Sequence, residues 1–466
     1  MNILLILPYD RVYRYQGLIS RIAPYMPLTL MTLAALVPEE LHAEIELVDE
    51  GVQPPCNGQK RYDVVGITCL TSSAPRAYEL AKFWREHGAF VVLGGAHVSM
   101  MSEEAARHAD AIVVGPGETS WPQLLRDWRS GTPQKIYAAE YPEQLSSPFP
   151  KRNLQRKHAH FLAAPPVLVN RGCQNTCHYC SIPALYNRIS VNRPIDEVIE
   201  DIKRLKAKNI LLFASTLSAD KAYASELFEA LIPLRIKWSS ADTIDVAEDR
   251  AYLDLMVRSG CEGLLIGFES FGQQSLNTVG KRCNQVQRYR ESVQTLHQYG
   301  LTVLGCFMLG FDHDTPDMLY QMPQLVDNIG VDVARYAIVT PFPGTPLFRR
   351  LKQEGRIFTE DWSWYDSGHV VFRPQHMLPE TLQQAYYDIW RATYRLPRVL
   401  TRVYTAASHR GMILAAGLGI RLYANKLRDH AYLDFLRTIN SNPEIQRRNT
   451  LCELPLFRQR TERGTF

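Results

Sequence analysis

Apolar and polar positions follow two alternating rhythms along the first 140 residues. Short apolar runs at Ile3 to Leu7, Glu44 to Asp49, Asp63 to Thr68, Phe90 to Leu93 and Ala111 to Val114 read as strands. Leu28 to Val37, ended near Pro38, and Ala74 to His87 carry apolar residues at helical spacing. Such alternation predicts a parallel sheet with helices on both faces, where ligands sit beyond the carboxyl ends of the strands. From Ser130 to Pro166 the chain is rich in Pro, Ser and Gln and reads as a linker.

The rhythm resumes at Val167. Strands are expected at Val167 to Val169, Ile210 to Ala214, Ile236 to Ser239, Gly263 to Phe268, Thr302 to Leu309 and Asp332 to Val339. Between them lie amphipathic helical stretches at Ile195 to Lys208, Lys221 to Ile232, Arg250 to Ser259, Val286 to Tyr299 and Met318 to Ile329. Repeated strand–helix pairs closed by a sixth strand imply a partial barrel with its sites at the carboxyl-terminal mouth. Beyond Trp362, Leu378 to Tyr394 is helical, and Arg395 to Asp429 mixes basic with large apolar residues. That mixture suits a helix packing on the barrel with arginine stems covering apolar surface; its rivals are a greasy substrate wall and a membrane-surface helix. The tail after Asn442 is polar and expected to be loose. The fold class is therefore α/β: a Rossmann-like N-terminal domain (residues 1–140), a linker (141–165), a partial (β/α)6 barrel (166–360) and a mainly helical C-terminal region (361–466).

A hydrophobic content of 46 % with 21 % charged residues is that of an ordinary globular chain. A net charge of +4, dispersed along 466 residues, gives no footprint for nucleic acid. No apolar run reaches the length of a membrane span; the nearest, Met412 to Ile420, is closed by Arg421. Peripheral membrane contact is the most that this composition allows. The N-terminal stretch has no basic leader, and the nine cysteines form no disulfide framework, so a cytoplasmic, reducing setting is expected.

Three of those cysteines change the picture. Cys173, Cys177 and Cys180 fall within eight residues, directly after the strand-like run at Val167, and so aim three soft thiolates at one place. Such density suits iron–sulfur or zinc, but a closed structural zinc site takes four ligands and this spacing supplies three. His178, adjacent to Cys177, is badly placed to complete a zinc site, and Cys261 is remote. A four-iron cluster with one open iron is the favoured reading, with zinc or three reduced core thiols as rivals.

The Cys-x-x-x-Cys-x-aromatic-Cys run, with Tyr179 as the aromatic, resembles the signature of radical S-adenosylmethionine (SAM) enzymes. The resemblance implies a [4Fe-4S] cluster whose open iron is chelated by SAM, and formation of a 5′-deoxyadenosyl radical. Gly267-Phe-Glu-Ser270 resembles the family's Gly-x-Glu-Ser, which implies a SAM contact for Glu269; Ser239 and Ser240 are weaker candidates at the third strand end. The N-terminal loops resemble the cobalamin-binding domain joined to many of these enzymes: Thr68-Cys-Leu70 with Ser72, the pair Gly94-Gly95 with His97 and Ser99, and Gly117-Glu118. In the family these loops hold the corrin's nucleotide tail. The Asp-x-His-x-x-Gly element that ligates cobalt elsewhere is absent, so the resemblance implies cobalamin bound without a protein histidine on the metal, and His97 lining the tail pocket. Relatives often carry paired aspartates after the second barrel strand, whereas this chain reads Phe213-Ala-Ser-Thr-Leu-Ser218.

The implied activity is methylation of an unactivated carbon of a hydrophobic or tetrapyrrole-like small molecule, with a flavodoxin- or ferredoxin-type reductase as electron donor. A rival keeps both cofactors but performs oxidative cyclisation or rearrangement. A metal-stabilised binding module without turnover is the reading from another class.

Overall fold

The computed structural model describes residues 1–10, 27–53, 58–142, 144–154 and 164–441. The N-terminal sheet contains β1 (Asn2–Leu7), β2 (Glu44–Asp49), β3 (Val64–Thr68), β4 (Phe90–Gly94), β5 (Ala111–Val114) and β6 (Ile136–Ala138), all parallel, in the order β2-β1-β3-β4-β5-β6. Strands β1, β3, β4 and β5 read as unbroken apolar runs because both faces are covered, whereas β2, at the sheet edge, alternates polar and apolar residues. In β1, Ile3 and Leu5 join one core with Leu30, Ala34, Trp121 and Leu124, whereas Leu4 and Ile6 join the other with Ala77, Leu80 and Trp84. Burial of a tryptophan such as Trp84 or Trp121 contributes roughly 4–6 kcal/mol of transfer free energy as an upper estimate. The strand order reverses between β1 and β3, the switch point at which ligands of such sheets bind.

Two elements fall where composition predicts none. The helix Gly117–Ser130 follows β5 and ends at Gly131 in a left-handed cap (φ +80°). Strand β6 lies inside the linker-like stretch and adds the sixth strand. Three residues are too few to carry a periodic signal. The tail after Asn442 lies outside the described residues.

The second sheet is also parallel and six-stranded. It begins with β7 (Pro166–Leu168); β8 (Asn170–Gly172) and β9 (Ser190–Asn192) then form a separate antiparallel hairpin. Next come β10 (Asn209–Phe213), β11 (Lys237–Asp242), β12 (Cys261–Glu269), β13 (Thr302–Leu309) and β14 (Val333–Ile338), in the order β14-β13-β12-β11-β10-β7. Helices Ile195–Leu205, Lys221–Leu231, Arg250–Arg258, Tyr289–Gln298 and Pro316–Ile329 connect them, the expected partial barrel.

The third barrel strand runs further than its pattern suggests. β11 continues to Asp242 rather than stopping at Ser239, because Trp238, Ser240 and Asp242 alternate onto the helix-covered face. Trp238 stacks there on Phe228, whose ring also meets Tyr252. Ser240 is therefore not a mouth residue: it is buried and donates to the Leu212 carbonyl at 2.8 Å. Ser239, on the opposite face, points into the barrel.

Asp242 has a measurable signature. One carboxylate oxygen accepts from Ser218 and from the Thr243 N–H, and the other has no partner. Burial pushes its carboxyl up to about 6. The folded state thus holds a proton that the unfolded chain releases near the ordinary aspartate value of about 4, so this group's contribution to stability is greatest below about pH 4 and declines as pH rises through about 6. The Asp242→Asn variant is expected to gain about 2 kcal/mol relative to the parent on going from pH 4.5 to 7.5. Denaturant unfolding at both pH values measures this; a pH-independent difference would refute it.

Candidate active site

The cysteine loop is pinned at both ends. At its start, the Asn170 side chain accepts from the Ser215 N–H at 2.8 Å and donates to the Thr216 carbonyl at 3.0 Å. Cys173 Sγ lies 3.8 Å from Thr216 Oγ1. The Ser-Thr segment that stands in place of paired aspartates therefore fixes the loop, and its Ser218 reaches Asp242. At the far end, the His178 N–H donates to Val279 O at 2.9 Å, and the Leu347 N–H donates to His178 O at 3.0 Å. Cys173 and Cys177 are buried and Cys180 is half-buried.

Gly172 makes the hairpin possible. It sits at φ +83°, and a Cβ there would lie 1.9 Å from Ile189 O. Gly172→Ala is expected to cost at least about 1–3 kcal/mol from the backbone conformation alone. A fall in the unfolding midpoint, with faster thiol labelling of the folded protein, measures it; unchanged stability would contradict it.

Tyr179 turns its ring into the core, against Phe311 at 5.7 Å between centroids, while its hydroxyl interacts with Cys177. Its place is behind the loop. Burial pushes the Cys180 thiol up to about 12 and raises Cys177 as well. These thiols become thiolates only with a strong cation beside them, as when iron binds.

Glu269 ends β12 after a bulge between Gly267 and Glu269 and adopts φ +65°, a left-handed conformation that costs a non-glycine residue energy. Asn284 holds the bulge by donating to Gly267 O and Phe268 O at 2.9 and 2.8 Å, and the Tyr289 hydroxyl donates to Phe268 O at 2.7 Å. Strained in this way, the Glu269 carboxylate meets Lys281 Nζ at 3.5 Å, both side chains nearly buried. Sequence reading missed Lys281. The segment carrying it abuts the cysteine loop: a Cβ on Gly280 would lie 2.9 Å from Thr176 O. Burial alone would lower the Lys281 ammonium, but Glu269 and the thiols of Cys283, Cys177 and Cys180 carry it above its ordinary value. A lone lysine in a helix-rich stretch gives no periodic or motif signal.

The N-terminal loops lock onto one another. Gly95 (φ +101°) approaches Cys69 so closely that a Cβ would lie 2.7 Å from Cys69 O and 2.8 Å from Thr68 Oγ1. Ser99 donates to Gly95 O and accepts from the Gly115 N–H, and Ser72 donates to Asp10. His97 is wholly buried: its ring nitrogens meet Thr71 Oγ1 at 3.4 Å and Tyr78 OH at 3.1 Å, and Trp362 packs edge-on at 5.5 Å. The tail-pocket expectation for His97 thus gives way to a bracing role, set by its position on the inward side of a short helix. Two large apolar side chains stay open instead, Tyr9 (38 % exposed) after β1 and Leu70 (41 %) after β3, both at the switch point.

The carboxyl ends of the two sheets face each other. Glu118, after β5, forms an ion pair with Arg171 at the start of the cysteine loop. Met100, after β4, packs where a Gly344 side chain would be, beyond β14. Glu104 accepts from Trp362 Nε1 at 2.9 Å. Gly94 and Gly117 lie on the same edge, the latter beside Leu33.

The donor set fits an iron–sulfur cluster. A buried ammonium beside the Cys177 and Cys180 thiols suits an assembly that is anionic overall, and no group of three or more His, Cys, Asp or Glu among the described residues is arranged around a single metal ion. A cube of irons distributes its thiolates over separate metals and does not need that convergence. The open Tyr9 and Leu70 side chains at the switch point likewise fit a broad, largely apolar macrocycle.

Comparison with known proteins agrees. Residues 167–326 match the radical SAM superfamily, 58–125 the B12 binding domain, and 345–416 a domain of unknown function. The bacteriochlorophyllide d C-8(2)-methyltransferase of Chlorobaculum tepidum is 30 % identical over 81 % of this chain and 88 % of its own length. The chain belongs to the cobalamin-dependent radical SAM methyltransferase family. The C-12(1)-methyltransferase of the same organism is 28 % identical, over 81 % of this chain and 84 % of its own. The fold is shared with the radical SAM methyltransferase TsrM of Kitasatospora setae, solved with cobalamin and a [4Fe-4S] cluster, at a TM-score of 0.60 and 16 % identity over 76 % of this chain and 78 % of that one. The cofactors of this enzyme are a [4Fe-4S] cluster, SAM and cobalamin. No described helix is long and apolar enough to cross a membrane.

Proposed function

We propose that this methyltransferase acts on a side-chain carbon of a tetrapyrrole-type macrocycle, held between the facing carboxyl ends of its two parallel sheets. The ion pair Glu118–Arg171, which ties the B12-binding edge to the cysteine loop, is the observation that carries this reading. Residues 1–140 would hold the corrin, 166–360 the cluster and SAM, and 361–466 would close over the substrate. Cys173, Cys177 and Cys180 would ligate iron, Glu269 and Ser239 would face SAM, and Thr68, Leu70, Ser72, Gly94, Gly95, Ser99, Gly117 and Glu118 would shape the corrin site. When bound, these groups supply reductive cleavage of SAM, hydrogen abstraction and methyl delivery. The chain contributes orientation and exclusion of water. Phe213 and Leu265, on the strand faces lining the barrel, remain 40 % and 36 % exposed and give a flat apolar substrate a surface to rest on. The relatives' activity on bacteriochlorophyllide d supports that class. A flavodoxin- or ferredoxin-type reductase would donate electrons.

Anaerobic reconstitution with iron, sulfide and cobalamin, then incubation with SAM, a reductant and bacteriochlorophyllide d, tests the reading. A product heavier by one methylene unit is expected. Consumption of the macrocycle without that gain would favour cyclisation, and 5′-deoxyadenosine without macrocycle turnover would overturn the substrate class.

A further inference from the structure

The helices beyond the barrel are half absorbed by packing. Helix Leu396–Thr405 buries Val399 and Arg402, and helix Arg410–Lys426 buries Ile413, Gly417, Ile420 and Ala424. Gly417 lies where a Cβ would come within 2.7 Å of the Val399 side chain, so the pair forms a close hairpin. Arg398 and Arg402 both bind Asp327 on helix Pro316–Ile329 and anchor it to the barrel. This is the expected packing of arginine stems, but it accounts for the inward faces alone.

The outward faces carry large apolar side chains. Leu396, Leu400 and Tyr404, four residues apart, form one stripe, and Tyr404 is 81 % exposed. Met412, Leu418 and Leu422 stand out from the second helix, all exposed. Exposed apolar stripes on two neighbouring helices mark an interaction surface rather than scattered chance.

Charge indicates what covers it. The 40 residues from Ile389 to Arg428 contain eight Lys or Arg and no Asp or Glu. Three of the eight are paired: Arg398 and Arg402 with Asp327, and Arg391 with Asp388 on its own helix. Arg395, Arg410, Lys426 and Arg428 are exposed and have no ion-pair partner among the described residues. Apolar stripes flanked by unpaired cations, with a tyrosine whose ring is apolar and whose hydroxyl is polar, are the chemistry of a helix lying in the headgroup layer of an anionic membrane.

We propose that the hairpin 396–426 docks this enzyme peripherally on anionic lipid bilayers. The surface is independent of the barrel mouth and of the substrate class. The test is co-sedimentation of the purified full chain with vesicles of phosphatidylcholine alone or mixed with phosphatidylglycerol. Binding is expected to the anionic vesicles, to fall at least about tenfold between low and 0.5 M salt as screening shortens to a few ångströms, and to be weak with neutral lipid. Leu400→Glu/Leu422→Glu is expected to reduce binding about tenfold or more, with circular dichroism and cluster content unchanged. Arg395→Gln/Lys426→Gln, which leaves the apolar stripes intact, is expected to weaken binding to anionic vesicles alone. Equal binding by parent and variants, or no binding to either vesicle, would overturn the proposal. So would a stable dimer in light scattering that the leucine substitutions dissociate, since the occupant would then be a second copy of this chain.

Discussion

Alanine in place of Cys173, Cys177 or Cys180 is expected to abolish the iron–sulfur cluster and all SAM cleavage, while leaving the fold close to intact. Each thiol is held by structure that does not depend on it: Asn170 and Thr216 fix the start of the loop, and Val279 and Leu347 fix its end. Removing one small buried sulfur costs on the order of 1 kcal/mol, too little to unfold the chain. Losing one of three thiolates leaves two protein ligands for four irons, which is too few to retain a cluster against chelators. Iron and sulfide content, the reduced-state electron paramagnetic resonance signal and 5′-deoxyadenosine formation are the readouts. Cys261→Ala and Cys306→Ala are the controls, since these thiols lie within β12 and β13 rather than on the loop. If a trio variant kept its cluster while a control lost it, the ligand assignment would fail.

Much of this was legible from pattern. Both parallel sheets are visible because strands buried on two faces read as apolar runs, and helices on a sheet carry a one-sided stripe. Cys173, Cys177 and Cys180 stand out as candidates because their spacing is local in sequence, and the structure keeps them on one loop. What escaped is non-local or conformational. Ser240 and Ser239 are adjacent letters with equal chemistry, and the pleat alone sends one into the helix layer and the other into the barrel. His97 follows a glycine pair, as a loop residue facing a ligand would, yet helical geometry turns it towards Tyr78 and Trp362. The bulge that aims Glu269 leaves no trace in composition, because its braces, Asn284 and Tyr289, come from a later segment.

The facing edges of the two sheets also follow from sequence only in part. Each sheet predicts its own carboxyl edge as the site, but nothing in either pattern states that the edges meet. The meeting is made by Glu118 with Arg171, Met100 with the Gly344 turn, and Glu104 with Trp362. Glu118 was picked out for a cofactor contact, and the structure gives its carboxylate a protein partner as well.

Removing the Lys281 charge is the second large effect expected. Lys281→Met leaves the Glu269 carboxylate nearly buried, without its cation, on backbone already in the left-handed region. Breaking such a pair from one side costs about 3–5 kcal/mol, whereas removing both charges costs much less. Glu269→Gln/Lys281→Met is therefore expected to be more stable than Lys281→Met alone, a coupling visible in a denaturant double-mutant cycle. The ammonium also lies among Cys177, Cys180 and Cys283, so its loss removes positive charge from beside the thiolates. The cluster's midpoint potential is expected to move to more negative values in Lys281→Met and to return in Lys281→Arg if the larger guanidinium fits. Additive stabilities with an unshifted potential would mean that Lys281 serves neither Glu269 nor the cluster. A shifted potential with additive stabilities would leave the charge acting on the cluster alone, and the strain at Glu269 would then have to be held by Asn284 and Tyr289.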